Sequence, residues 1–308
     1  MTVSASAERF NAAGFFVDRH LTEGRGRHAA FRHAGRAVTY AELAESVNRA
    51  GNVLAGLGVE IENRVVLILH DTPAFAAVFW GAAKLGAVAV PLNPLMTTGE
   101  YDFLLRDSRA KVAVAEPEVA ARLAALRDRW PSLRAVVSAG AGVAGVPALG
   151  DLMTKASPVL EPAPTVADDA MYWGYTSGST GAPKAAVHGH RDFVAAADLV
   201  GVGVFGLGPN DLVFSASKLY FAFGLGNSLY FPLRVGAASV LVAERPSPEA
   251  AFGIIAAERP SVFFAVATLY ARMLHVPDAE RRWDLSSLRL CVSSGEALPP
   301  AVFDAWKA

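Results

Sequence analysis

Residues 64–92 read RVVLILHDTPAFAAVFWGAAKLGAVAVPL, and this stretch decides the fold class. It opens with an aliphatic, partly β-branched run at 64–69, which predicts a buried strand. Pro73 is well placed at the first position of a helix, and Gly86 offers a stop for that helix. The run at 87–90 predicts a second strand. A strand, a helix and another strand in close succession indicate a parallel sheet covered by helices.

The apolar residues at 74–92 raise a second possibility, a membrane-spanning helix. Lys84 and Gly86 interrupt this stretch and Pro91 closes it. A helix, a turn and a short buried strand therefore explain it better than a membrane span does.

The alternation of helical and extended patterns continues along the chain. Further strands are predicted at residues 111–114, 134–137, 170–175, 212–215, 238–242, 262–265 and 288–292. Helices are predicted between them, for example at 192–200 and 248–258. The expected fold class is α/β, with two doubly wound subdomains whose largely parallel sheets are flanked by helices. A Gly/Ala-rich stretch at 139–150 and a Pro- and acid-rich one at 157–169 predict a connection, so we expect subdomains at 1–164 and 165–308.

The overall composition excludes several classes of partner. The chain has 308 residues, 53% of them apolar, and its 28 basic side chains nearly balance 29 acidic ones. Nucleic-acid binding and attachment to an anionic membrane both depend on clustered Lys and Arg, so neither is expected. Cys291 is the one cysteine, which excludes an internal disulfide framework and a thiolate zinc site and fits a reducing, cytoplasmic compartment.

A loop of small polar residues follows the predicted strand at 170–175. Residues 175–184 read YTSGSTGAPK. Small residues let successive backbone amides converge on an anion, and a lysine adds a point charge for phosphate oxygens. A flexible linker is the alternative, but the loop lies between apolar runs and ends in Pro-Lys. It is not a Walker loop, because Lys184 is flanked by Pro183 and Ala185.

The segment 176–184 resembles the signature of the adenylate-forming enzymes, with Ala185 where that family usually has glycine. Residues 215–227, SASKLYFAFGLGN, resemble the aryl-pocket segment of the benzoate–CoA ligases within that family. Residues 293–299, SSGEALP, resemble the segment whose backbone lies against adenine in the same enzymes. Ordinary core packing also explains an aromatic segment such as 215–227, but beside the phosphate loop the aryl-pocket interpretation is favoured.

The resemblance implies an ATP-dependent ligase that joins benzoate or a hydroxybenzoate to coenzyme A through an aroyl-AMP intermediate, with Mg²⁺ accompanying ATP. It implies a catalytic role for Lys184. The implied phosphate-binding residues are Thr176, Ser177, Gly178, Ser179, Thr180, Gly181 and Lys184. The implied adenine-binding residues are Ser294, Gly295 and Glu296. The implied aryl-acid pocket consists of Phe221, Ala222, Phe223 and Gly224. His188 and His190 are interpreted as structural, and no metal site is predicted.

In the family that this chain resembles, the residues that assist magnesium, grip the ribose, form the hinge and supply a late lysine come after the segment that ends at Ala308. We therefore expect a large N-terminal portion of a ligase with little or no turnover of its own. Two alternatives stay open: a non-catalytic module that binds ATP and an aryl acid, and an adenylate-forming ligase for another carboxylic acid.

Overall fold

The computed structural model describes residues 8–176 and 183–307. Its strands are β1 Ala29–His33, β2 Arg36–Thr39, β3 Arg64–Ile68, β4 Val88–Pro91, β5 Val112–Ala115, β6 Ala135–Ser138, β7 Ala170–Thr176, β8 Lys184–Gly189, β9 Leu212–Ser215, β10 Ala238–Val240, β11 Val262–Ala265 and β12 Leu290–Ser293. Every strand that the sequence predicts is present within a few residues of its expected position. The strands β1, β2 and β8 were not predicted.

The helices alternate with the strands through most of the chain. They are α1 Arg19–Thr22, α2 Tyr40–Gly56, α3 Pro73–Lys84, α4 Thr98–Ser108, α5 Pro117–Ala125, α6 Leu149–Lys155, α7 His190–Ala196, α8 Ala222–Leu225, α9 Phe231–Val235, α10 Pro248–Glu258, α11 Ala267–Met273, α12 Ala279–Arg282 and α13 Pro300–Lys307. Wide π-helical turns lie at Gly14–Asp18, Ala197–Val202 and Gly226–Tyr230, and a 3₁₀ turn lies at Arg127–Arg129.

Two compact units divide the chain. The first contains residues 1–26, 41–69 and 74–195, and the second contains 27–40, 70–73 and 196–308. The units differ from the expected division at 164/165 because β7 pairs with β4 and thereby joins the first sheet. The phosphate-loop segment therefore belongs to the first unit.

Each unit is built on a six-stranded sheet in the described part of the chain. The first sheet has the order β6-β5-β3-β4-β7-β8, and the second has the order β12-β11-β9-β10-β1-β2. Five strands of each sheet are parallel, and the edge strands β8 and β2 are antiparallel to their neighbours. The expected α/β class with largely parallel sheets is confirmed.

The first unit buries α3 almost completely. Residues 75–84 of this helix are all buried, including Lys84 at its last turn. Trp80 is fully buried, stacks on Phe16 at 5.2 Å and meets the edge of Phe79 at 5.1 Å. Lys84 is accommodated by an ion pair with Asp18, with 2.7 Å between Nζ and Oδ2. No helix in the described ranges combines the length and apolar character needed to cross a membrane.

The core of the second unit lies between its sheet and the helices α10 and α11. Phe214 of β9 and Phe263 of β11 stack at 5.4 Å, and Phe252 of α10 stacks on Trp283 at 5.1 Å. The strands that contribute this core, β9 and β11, are buried along their full length. Buried apolar strands of this kind are typical of parallel sheets covered on both faces.

Candidate functional site

The parallel strands of the second sheet direct the predicted site segments to one edge. Residues 215–227, called the aryl segment below, follow β9. The segment 294–296 follows β12, so each segment begins where its strand ends. Parallel strands have their carboxyl ends at the same edge of a sheet, and ligands of open α/β sheets bind outside that edge. The order of the strands reverses between β9 and β11, because β10 lies on one side of β9 and β11 on the other. This is the topological switch point of the second sheet.

The aryl segment turns directly from β9 into a helical stretch. Phe221 and Ala222 are exposed, with 41% of Phe221 accessible to solvent, whereas Phe223 is half-buried. The ring of Phe223 meets the edge of Phe264 of β11 at 6.1 Å. The exposed ring of Phe221 and the half-buried ring of Phe223 therefore both lie at the carboxyl edge, and Phe264 of the sheet packs against Phe223.

Gly224, which the resemblance places in the aryl-acid pocket, also has a packing role in this structure. A Cβ at this position would lie 2.1 Å from the carbonyl oxygen of Lys218 and 2.6 Å from that of Ser217. The small residue allows the backbone of residues 217–218 to approach the helix. The space beside Gly224 is thus filled by the chain itself, and this glycine leaves no room for a ring on that side.

A buried ion pair lies beneath the aryl segment. Lys218 and Asp71 are each only 2% exposed, and Lys218 Nζ lies 3.3 Å from Asp71 Oδ2. Burial raises the pKa of Asp71 to about 6 in spite of the nearby ammonium, and burial lowers the pKa of Lys218 in spite of the carboxylate. Neither residue was predicted from the sequence to belong to the site. A lysine within an apolar aromatic segment and an aspartate just after a buried strand were the available signals.

The segment 294–296 is tied to the first turn of α11, the helix that follows β11. The amide of Thr268 donates to Glu296 Oε1 at 2.8 Å, and the hydroxyl of Thr268 donates to the same oxygen. These two bonds lower the pKa of Glu296. Gly295 has a φ of +91°, a conformation that favours glycine. Ser294, Gly295 and Glu296 are exposed, and the backbone there is available for a planar ligand.

The phosphate-loop segment is the connection of a β-hairpin in the first unit. Thr176 ends β7 and Lys184 begins β8, and the two residues are opposite each other in an antiparallel pair. Thr176 Oγ1 also donates to the carbonyl of Lys184 at 3.4 Å. Ser177, Gly178, Ser179, Thr180 and Gly181 lie outside the described residues. The structure therefore describes the two ends of the loop, with an exposed lysine at one of them.

An apolar pocket of about 420 Å³ lies beside the loop ends in the first unit, and its lining includes Tyr175, Thr176, Pro183 and Phe103. The hydroxyl of Tyr175 donates to Asp107 Oδ2 at 2.5 Å, which holds the start of the loop against α4. Burial and the neighbouring carboxylate together raise the pKa of Tyr175 well above its usual range.

The two histidines beyond the loop have different environments. The side chain of His188 is 46% exposed and lies 3.5 Å from Asp192. His190 is fully buried, and its Nδ1 accepts from the amide of Ala12 at 3.1 Å. An acceptor Nδ1 requires a neutral imidazole. Burial lowers the pKa of His190 to about 4, although the nearby Asp169 acts in the opposite direction.

His190 should make the protein sensitive to mild acid. The unfolded imidazole takes up a proton near pH 6.5 and the folded one only near pH 4, so acid favours the unfolded state in this window. We expect the free energy of unfolding to be about 2 kcal/mol lower at pH 5 than at pH 7 from this group alone. Urea unfolding of the wild type and His190→Gln across this range measures the difference, and parallel pH curves would contradict the prediction.

The carboxylates and histidines in the described part of the chain do not gather into a metal centre. Within residues 8–176 and 183–307, no three His, Cys, Asp or Glu side chains form a group that could hold a metal ion. No set of metal ligands is therefore assigned within these ranges.

Sequence and structure comparisons agree on the family. The family model for AMP-binding enzymes matches residues 17–308. The benzoate–CoA ligase of Thauera aromatica is 43% identical over 98% of this chain and 57% of its own length. The 4-hydroxybenzoate–CoA/benzoate–CoA ligase of Rhodopseudomonas palustris is 42% identical over 97% of this chain and 55% of its own length.

A crystal structure of the anthranilate CoA ligase AuaEII in complex with anthranoyl-AMP superimposes with a TM-score of 0.93. It is 36% identical, and the match covers 100% of this chain and 59% of that one. The chain thus spans a little over half the length of the relatives it matches. With the family model matched from residue 17 to residue 308, the chain belongs to the AMP-binding enzyme family.

Proposed function

We propose that this chain provides the nucleotide-binding and aryl-acid-binding parts of an ATP-dependent aryl-acid–CoA ligase. The observation that carries the proposal is the position of the aryl segment and of residues 294–296. They leave the parallel strands β9 and β12, which lie on either side of β11, at the carboxyl edge of one sheet. The similarity to two benzoate–CoA ligases supports benzoate or a hydroxybenzoate as the acid. A cytoplasmic location stays a prediction.

The proposed reaction has two steps. In the first, a carboxylate oxygen of the acid forms a bond to the α-phosphorus of ATP, and pyrophosphate leaves with the electrons of the broken P–O bond. In the second, the thiol sulfur of coenzyme A attacks the carbonyl carbon of the aroyl-AMP. AMP leaves, and the thiol proton is released.

The residues of this chain contribute binding and charge to the first step. Lys184 would place its ammonium on phosphate oxygens, where it stabilises charge that develops on the leaving pyrophosphate. Thr176, Ser177, Gly178, Ser179, Thr180 and Gly181 would add backbone and hydroxyl donors in the same loop. Phe221, Ala222 and Phe223 would contact the ring, and residues 294–296 would lie against adenine.

Replacing Lys184 with alanine should weaken ATP binding by about tenfold, the effect of losing one charge-assisted contact of about 1.4 kcal/mol. The stability of the protein should not change, because Lys184 is exposed. Isothermal titration with ATP measures the affinity, and thermal unfolding measures the stability. Lys155→Ala removes another exposed lysine of the first unit and is the matched control. Equal effects of the two substitutions would contradict a role for Lys184 on phosphate.

Benzoate-dependent exchange of pyrophosphate into ATP tests the reaction itself. The 308 residues correspond to about 57% of a full-length relative, and we propose that alone they bind both substrates but exchange little or none. Vigorous exchange would overturn the proposed inactivity and support the ligase chemistry. Tight ATP binding without any effect of benzoate would favour a nucleotide-binding module or a ligase for another carboxylic acid.

A further inference from the structure

The buried pair of Asp71 and Lys218 is costly for a protein to maintain. Two charges removed from water lose their hydration, and apolar residues of similar volume often stabilise a fold as well or better. A contribution to the stability of the second unit is therefore a weak explanation for the presence of this ion pair. Its other hydrogen bonds indicate what the charges do.

Among the described residues, the two charged groups also form hydrogen bonds to backbone atoms. Asp71 Oδ1 accepts from the amide of Leu219 at 3.0 Å. Lys218 Nζ donates to the carbonyl of Glu244 at 3.0 Å and to the carbonyl of Val242. The pair thus joins three segments of the second unit: residues 70–73, the loop after β9 and the loop after β10.

The backbone of Lys218 in turn determines where the aromatic residues lie. Its carbonyl accepts from the amide of Phe221 at 2.9 Å, and the carbonyl of Phe221 accepts from Leu225 at 2.8 Å. The same Lys218 carbonyl is the atom that approaches Gly224. A shift of Lys218 would therefore be transmitted directly to Phe221 and to the first turn of α8.

We propose that Asp71 and Lys218 are positioning residues that hold the aryl-pocket loop, residues 217–224, in the geometry that receives the aromatic acid. The inference rests on the proposed function, since it assigns the support of the aryl pocket in that same site. Neither residue needs to touch the acid. Both act through the backbone of the loop.

We call the Asp71–Lys218 pair, with its bonds to backbone, the anchor of the aryl-pocket loop. Asp71→Asn tests this anchor with little change in the shape of the side chain. The asparagine oxygen can still accept from Leu219, but Lys218 loses its counter-charge. The binding probes are a non-hydrolysable benzoyl-adenylate sulfamate, which contains the aryl group, and AMP, which does not. We expect the dissociation constant of the sulfamate to rise by about tenfold and that of AMP to change less than about twofold, because displacement of the loop affects only the aryl group.

Asp211→Asn is the matched control. Asp211 precedes β9, at the opposite end of the strand from the aryl loop, and forms an ion pair with Arg289 at 2.7 Å. Like Asp71→Asn, the Asp211→Asn variant loses a carboxylate and an ion pair. It should therefore be less stable than the wild type but have the same ratio of affinities for the two probes. Equal changes of this ratio in both variants, or none in Asp71→Asn, would overturn the proposal.

The double variant Asp71→Asn/Lys218→Met covers the case in which the single variant folds poorly. It leaves no unpaired buried charge, so stability should return. The affinity for the sulfamate should remain low, because the ammonium contacts to Val242 and Glu244 are gone. Recovery of the affinity together with the stability would show a purely structural role and would refute the anchor.

Hydrogen exchange distinguishes failure of the anchor from failure of the proposed function. If the wild type binds neither the sulfamate nor AMP, the proposed function fails. The anchor is still tested by exchange of residues 217–224. Faster exchange there in Asp71→Asn than in Asp211→Asn supports the anchor, and equal exchange contradicts it.

Discussion

Asp18→Ala is expected to lower the free energy of unfolding by about 3 kcal/mol, the lower end of the usual cost of removing one member of a buried ion pair, because Lys84 is buried and Asp18 is partly exposed. Lys84 is only 3% exposed, and both Asp18 oxygens lie within 2.8 Å of its Nζ. Asn48 Oδ1, at 2.6 Å, would remain as a neutral partner. Urea unfolding followed by circular dichroism measures the change.

The double variant Asp18→Ala/Lys84→Met separates the loss of the ion pair from the loss of packing. Methionine keeps most of the buried chain of Lys84 but has no charge to desolvate. We expect the double variant to be more stable than Asp18→Ala alone. Additive losses from the two substitutions would show that the unpaired ammonium is not the source of the destabilisation.

Gly224→Ala is expected to lower the free energy of unfolding by about 3 kcal/mol, which is at the upper end of the usual cost of overpacking. The new methyl group would lie 2.1 Å from the oxygen and 2.5 Å from the carbon of the Lys218 carbonyl. Both are backbone atoms, so no side-chain rotation relieves the clash. Because the loop must move, binding of the benzoyl-adenylate sulfamate should weaken as well.

Gly253→Ala is the control for this substitution. Gly253 also lies in a helix of the second unit, α10, and a Cβ there would meet only Trp283 Nε1 at 4.0 Å. Alanine should therefore stabilise the protein by about 0.5–1 kcal/mol through helix propensity. The two glycine-to-alanine substitutions in the second unit are therefore predicted to change the free energy of unfolding in opposite directions. A neutral Gly224→Ala would contradict the close approach seen at Lys218.

Local patterns were sufficient for all the parallel strands except β1. The run 64–69, Pro73 and Gly86 predict β3 and the bounds of α3 because each signal lies within the element it specifies. Lys84 was interpreted only as an interruption of an apolar run. Its partner Asp18 lies 66 residues away, and no local pattern indicates an ion pair over that separation.

The candidate site shows the same limit. Sequence resemblance predicts an aryl segment but not its contact with Asp71, because Asp71 and Leu219 are 148 residues apart. The phosphate loop was expected with the second subdomain, since it follows the Pro- and acid-rich stretch. The structure groups it with the first unit because Tyr172 of β7 pairs with Ala89 of β4. Strand pairing between distant segments depends on the whole sheet, and the sequence of one strand does not indicate which strand it pairs with.

The pairing of β1 with β10 has a consequence for synthesis. His33 bonds to the carbonyl of Leu241, 208 residues later. At about 5–20 residues per second, a ribosome needs roughly 10–40 s to make the intervening chain. A two-stranded hairpin is only marginally stable by itself. Until β10 has been synthesised, the backbone groups of β1 that pair with β10 have no partner strand. Chaperone protection of the nascent chain should therefore matter most between the synthesis of β1–β2 and the synthesis of β10.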